Sequence, residues 1–310
     1  MRFLPSCIFV AVSMAAAMPL VSRAAQTVYF TENFDDSNFS SRGWYDVSGG
    51  EVDTVNHIPG SAGSFHCHWA SGGQKCTGGA PGRRSFPATA TVYVSFWIKL
   101  GSATVTWRGS GLSYHPHMIY LLTDADDAYV GPAWCNLEFL IEPSAFVPRL
   151  AATDGKRINT AQLGANLLGT ATPHAIGGGN GLQNATSSYY SNGDGTYSNG
   201  TLWDSASANF INNTWQHVEV YVAMNSIVGG LPRPDGTIRM WVDGTLVVEH
   251  TNVYLRTAQF ATQKFNQFFL SPYIGDGSPI AQDLWIDNLV VADQPPGSQL
   301  PAPQNLRLVK

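Results

Sequence analysis

Apolar residues recur at every second position in several stretches of this chain, and downstream of residue 24 no stretch shows the helical period of about 3.6. In Val92-Tyr93-Val94-Ser95-Phe96-Trp97-Ile98-Lys99 the set Val92, Val94, Phe96 and Ile98 faces one way. In Asn136-Leu137-Glu138-Phe139-Leu140-Ile141-Glu142, Leu137, Phe139 and Ile141 face the core while Asn136 and Glu138 face out. Trp215 to Met224, Thr237 to Val242, Thr245 to Glu249 and Leu284 to Val291 repeat the pattern. Asp243-Gly244 lies between two such runs and predicts a two-residue hairpin. Strands joined by turn residues, with no helices between them, imply an all-β fold of two antiparallel sheets packed as a sandwich.

Length and composition agree. The 310 residues are 44% hydrophobic and only 13% charged, enough apolar content for one all-β domain of ~200–250 residues and too little charge for acidic disorder or a coiled coil. A net charge of −5 excludes a broad nucleic-acid footprint, because displacing counterions needs a basic surface.

Arg2, the apolar run Cys7 to Val21 and Ser22-Arg23-Ala24 read as a secretory signal peptide, 1–24, cleaved after Ala24. No later stretch approaches ~20 apolar residues, so the expectation is a secreted (extracellular or periplasmic) monomer with no membrane partner. The folded domain is expected over 25–293. The Gly-, Asn- and Ser-rich segment 151–214 reads as a long loop insertion, and 294–310 as a Pro-rich tail. Export leaves Cys67, Cys76 and Cys135. Cys67 and Cys76 flank a Gly-rich turn and are candidates for a short-loop disulfide, with Cys135 a buried free thiol.

Three C-terminal segments carry a resemblance: Trp215 to Tyr221, Asp235 to Gly244, and Leu284 to Val291. With the opening Phe30-Thr31-Glu32-Asn33-Phe34-Asp35, the series resembles the concanavalin A-like jelly-roll proteins, in particular the polysaccharide-lyase-like branch with heparin and alginate lyases. The family's alginate lyases carry a Gln-x-His strand and a later strand with a Phe followed five residues on by a Tyr. Here His115-Pro116-His117 and Phe268-Phe269-Leu270-Ser271-Pro272-Tyr273 stand in those places. His115 replaces the Gln and Phe269 replaces a Lys. No Arg-rich strand matches the third family motif, and Phe65-His66-Cys67-His68-Trp69 is the nearest segment in order.

The resemblance implies a polysaccharide partner, with cleavage by β-elimination as the leading activity and no cofactor required. Elimination at a uronic acid needs a base for the C5 proton, an acid for the leaving oxygen and a donor that neutralises the carboxylate. His117 is the candidate base and Tyr273 the candidate acid, or Tyr273 serves both roles. His115, Asn136 or an arginine (Arg83, Arg84 or Arg108) is the candidate carboxylate partner. Outward Tyr93 and Trp97, with Trp134, Glu138 and Gln267, are candidate sugar contacts, and Trp107, Tyr189, Tyr190 and Trp203 are further rings in or near loops. The alternative from another class is a non-catalytic carbohydrate-binding or adhesion module. Glycoside hydrolysis ranks behind both, with Glu138 and Glu142 as its only evident carboxyl pair.

Two metal readings stand beside these. His66-Cys67-His68 and His115-Pro116-His117 each put two imidazoles on one strand face, and on neighbouring strands His66, His68, His115 and His117 would converge on Zn2+ or Cu2+. Glu32 and Asp35 near the first strand and Asp287 in the last are candidate ligands of a structural Ca2+.

Overall fold

The computed structural model describes residues 25–108, 116–124, 137–153, 158–159, 177–178, 189–191, 196–205, 207–229, 231–233, 235–256 and 261–296. His115, Trp134, Cys135, Asn136 and the signal segment 1–24 lie outside the described residues, as does nearly all of the Pro-rich tail. The strands in chain order begin with β1 (Val28–Glu32), β2 (Trp44–Tyr45), β3 (Glu51–Asp53), β4 (Ser64–Trp69), β5 (Gly82–Thr89) and β6 (Thr91–Leu100). Then come β7 (Pro116–Thr123), β8 (Glu138–Ser144), β9 (Val147–Thr153), β10 (Ile158–Asn159), β11 (Gly177–Gly178), β12 (Tyr189–Ser191) and β13 (Thr196–Asp204). The last are β14 (Gln216–Ala223), β15 (Ile227–Val228), β16 (Leu231–Pro232), β17 (Gly236–Val242), β18 (Thr245–Tyr254), β19 (Phe265–Ile274) and β20 (Gln282–Ala292).

The first sheet runs β11-β18-β17-β14-β6-β20-β4-β3, with β1 also on β20; the second runs β10-β13-β9-β8-β7-β19-β5-β2, with β12 on β13. Pairing is antiparallel in both. Alternation is cleanest in β14, where Gln216, Val218, Val220 and Val222 are buried and the residues between them are half-buried. In β6 the inner set Val92, Val94, Phe96 and Ile98 is buried as the sequence predicts. Asp243 and Gly244 both take positive φ, 50° and 75°, the backbone of a type I′ hairpin turn, and Val242 pairs with Thr245 across it.

Aromatic side chains fill one end of the sandwich. Phe30, Trp44 and Phe268 meet edge to face with ring centroids 5.9–6.1 Å apart, the arrangement favoured by the ring quadrupole. Glu32, 3% exposed, is buried beside them. Its Oε1 accepts the Phe34 backbone N–H, and its Oε2 accepts Trp44 Nε1–H at 2.8 Å and Arg42 Nε–H at 2.9 Å.

Most of 154–195, the middle of the expected loop insertion, lies outside the described residues, while its two ends are strands. β9 continues to Thr153, and β13 pairs with it from Gly200↔Thr153 to Asp204↔Arg149. Trp203, expected near a loop, is a core residue at 2% exposure, and Trp107 is likewise buried. The sequence of β13, Thr-Tyr-Ser-Asn-Gly-Thr-Leu-Trp-Asp, is rich in Gly, Asn, Ser and Thr and so shows little apolar alternation.

Candidate active site

The second sheet turns Phe265, Phe268 and Leu270 of β19, Leu137, Phe139 and Ile141 beside and on β8, and Ile119 and Leu121 of β7 into the main core. Its outer face carries a separate buried cluster of Tyr120, Leu122, Leu140 and Ala151, with Phe269 packed against it. His117 and Tyr273 lie directly opposite each other across the β7–β19 pair, a placement that brings cross-strand Cβ atoms to ~5 Å. Phe269, Ser271 and Tyr273 share one face, as period two predicts, and with Gln74, Lys75 and Tyr120 they line a cavity of about 390 Å³.

His117 is held from below. Its Nδ1 lies 3.0 Å from Oε2 of Glu142, a fully buried carboxylate on the next strand. Arg149 closes the far side, with Nη1 at 3.9 Å from Glu142 Oε1 and Nη2 donating to Asp204 Oδ2 at 3.2 Å. Burial disfavours the charged imidazole, but the hydrogen bond and charge of Glu142, helped by Glu138, outweigh it and hold the pKa of His117 above its ordinary 6.5. A carboxylate on Nδ1 fixes the proton there and makes Nε2 the proton-accepting atom. Glu142 is therefore committed to His117, which removes the Glu138–Glu142 pair from consideration as two independent carboxyls of a glycosidase.

Tyr120 is a site residue that the sequence did not reveal. Strict alternation puts it opposite His117, yet their rings lie 6.2 Å apart and Tyr120 packs 5.1 Å from Phe269. The register between β7 and β19 shifts between Leu270 and Tyr273, so Met118 and Ile119 both enter the core and the phase of β7 changes. Burial, then Glu138, Glu142 and Tyr273, push the Tyr120 phenol far up, so it stays a hydrogen-bond donor.

A strand bearing two arginines lies beside β19, though it is not the segment that sequence order suggested. Phe65–Trp69 lies in β4 of the first sheet, whereas β5 lies beside β19, pairing Arg83 with Phe269 and Arg84 with Phe268. Arg83 is 5% exposed, stacks 5.2 Å from the Phe269 ring centroid, and has Nε 3.4 Å from Asp46 Oδ2. Gln267, fully buried, accepts from Tyr45 Oη at 3.0 Å and from Arg83 Nη1 at 3.4 Å. It is a prop for those two groups and not the sugar contact expected from the sequence. Arg84 instead covers Phe30, with its guanidinium 4.3 Å from the ring centroid.

Other expected contacts lie elsewhere. Tyr93 and Trp97 belong to the first sheet, away from His117 and Tyr273. Tyr93 is buried and donates to Glu219 Oε1 at 2.6 Å, and Trp97 packs 5.2 Å from the His217 ring. Arg108 is exposed, and its backbone N–H donates to Gln282 at the end of β20. Glu138 remains on the site face, half-buried.

The described members of the expected imidazole set lie on different sheets. His66 and His68 lie on β4 of the first sheet and His117 on β7 of the second. Both β4 imidazoles reach Asp283 Oδ1 at 2.8 Å. Burial opposes charge on His66, but Asp283 and Glu51 raise its pKa. Two of the carboxylates expected to hold calcium are bonded to protein donors. The oxygens of Glu32 are taken by Phe34, Trp44 and Arg42, and those of Asp287 by Ile58 N, Ser61 Oγ and Asn288 N. No cluster of three or more His, Cys, Asp or Glu suited to a metal occurs among the described residues.

Two antiparallel sheets packed face to face define the fold class: this chain has the polysaccharide-lyase-like β-sandwich fold. Its fold is similar to that of the endo-β-1,4-glucuronan lyase of the fungus Trichoderma reesei, at 13% identity and TM-score 0.51 over 86% of this chain and 96% of that one. It is similar also to the marine PL-14 alginate lyase of Aplysia kurodai, at 11% identity and TM-score 0.53 over 86% and 98%. No family model matches the sequence, and no curated protein matches it.

Proposed function

We propose that this is an exported polysaccharide lyase that cleaves a uronic-acid-containing polymer by β-elimination. One observation carries the reading: a buried carboxylate orients His117 directly opposite Tyr273, at the edge of a sugar-sized cavity. Nε2 of His117 takes the C5 proton, the C5 electron pair forms the C4=C5 double bond, and the C4–O bond breaks. Tyr273 gives its phenolic proton to the departing oxygen. Tyr120 donates from the cavity wall, and Phe269 offers an apolar face to the ring. The solved lyases of similar fold act, by their names, on glucuronan and alginate, which supports a polyuronate as the substrate class here.

The test is the ultraviolet absorbance of unsaturated uronate during incubation with alginate, glucuronan and related polymers. A rise that is lost in His117→Ala and in Tyr273→Phe is expected. A flat trace with folded wild-type protein would overturn the lyase reading, and retention on an insoluble glycan would then indicate a binding module. Export is supported by the bond between Cys67 and Cys76, with Cα atoms 5.0 Å apart; the mass of the secreted chain, expected to begin at Ala25, checks it.

A further inference from the structure

Elimination at a uronate leaves one requirement that His117 and Tyr273 do not meet, a cation for the carboxylate. Three described cations stand near the outer face of the second sheet. Arg83 is buried, held at Asp46 and Gln267 and covered by Phe269. Arg149 is buried between Glu142 and Asp204. Lys75 is exposed, lines the cavity, and makes no ion pair among the described residues. A guanidinium already enclosed by protein partners has little charge left for a ligand, whereas an ammonium on a flexible stem can reach one.

The position of Lys75 is not accidental. It stands in an isolated antiparallel bridge with Tyr273. The segment crosses from β4 in the first sheet to β5 in the second, and the Cys67–Cys76 disulfide closes it. Three backbone hydrogen bonds lay it along the end of β19 and the turn that follows: Gly72 N–H to Ser278 O at 2.7 Å, Ser278 N–H to Gly73 O at 2.8 Å, and, as part of the bridge, Ile274 N–H to Gln74 O at 2.8 Å. The approach is so close that a Cβ on Gly277, at φ +82°, would meet Gly72 O at 2.4 Å.

We propose that Lys75, presented over Tyr273 by the disulfide-closed loop Cys67–Cys76, binds the carboxylate of the uronic acid and makes the site selective for charged over neutral sugars. The inference rests on the lyase reading and deepens it, but its test is binding, which does not need turnover. Calorimetric titration with a polyuronate oligosaccharide in the uncleaving Tyr273→Phe background is compared with the same protein carrying Lys75→Met or Lys75→Arg. Met should weaken binding at least about tenfold, as loss of a charge-assisted hydrogen bond does, and Arg should retain most of it. The carboxyl-reduced, neutral oligosaccharide should bind weakly to all three. Reduction of the disulfide by a phosphine, with the sheet circular dichroism unchanged, should produce the Met phenotype, and reoxidation should reverse it. If reduction unfolds the protein, the Lys75 variants decide alone.

Binding unaffected by Lys75→Met, alongside cleavage that depends on His117, would overturn the role of Lys75 and leave the lyase reading standing. No binding and no cleavage of any polyuronate by wild type would overturn both.

Discussion

At the residue scale the chemistry turns on how Glu142 sets His117. A base works only when unprotonated, so cleavage should rise as pH climbs through the folded pKa of His117, which lies above 6.5. Glu142→Gln keeps the shape and removes the charge that raises this pKa. The acid limb of the kcat/KM profile should then move to lower pH, and the plateau should fall ~10-fold or more because the imidazole loses its orienting partner. A limb that stays in place would remove Glu142 from the mechanism. Tyr120 and Lys75 show the complementary point. Each stands at the cavity through pairing with β19, far off in sequence, Tyr120 beside a register shift and Lys75 on a disulfide-closed loop bridged to Tyr273.

At the element scale the turn between β3 and β4 shows how polar side chains fix a strand connection. Asp53 Oδ1 accepts the backbone N–H of Val55 at 2.8 Å and of Asn56 at 3.0 Å, and Oδ2 accepts Asn56 Nδ2 at 2.8 Å and Trp285 Nε1 at 2.9 Å. Burial alone would raise the Asp53 pKa, but these donors bring it from 3.8 to about 2. A depressed carboxylate pKa contributes stability above the unfolded value and loses it as pH falls through the folded one. Asp53→Asn should therefore cost ~1–2 kcal/mol at neutral pH, the order of a charged hydrogen bond. Its melting temperature should converge on that of wild type as the pH drops from 3.8 toward about 2. A gap independent of pH would assign the effect to packing of Trp285 instead.

At the scale of the whole molecule, the first and last strands pair side by side within the first sheet, with Glu32 opposite Leu289. The acids at that junction bind protein donors. Chelation with EDTA should leave the melting temperature unchanged, and Glu32→Ala should lower stability by ~1–3 kcal/mol through the buried Trp44 and Phe34 donors it leaves unpaired. A melting temperature that falls on chelation would restore a structural cation.

Features set by near neighbours were readable from the chain itself. The inward set of β6, the Asp243-Gly244 hairpin and the shared face of Phe269, Ser271 and Tyr273 all follow from side-chain alternation and from φ preferences, which need no distant partner. Period two assigns a face, but it cannot say which sheet a strand joins. So Tyr93 and Trp97 went to the first sheet, His66 and His68 parted from His117, and Arg83 came to lie beside Phe269. Sheet membership, the β7–β19 register shift and the crossing that carries Lys75 to Tyr273 were decided only in the tertiary structure. Those choices depend on backbone pairing and side-chain burial between segments far apart in sequence, and no local pattern encodes them.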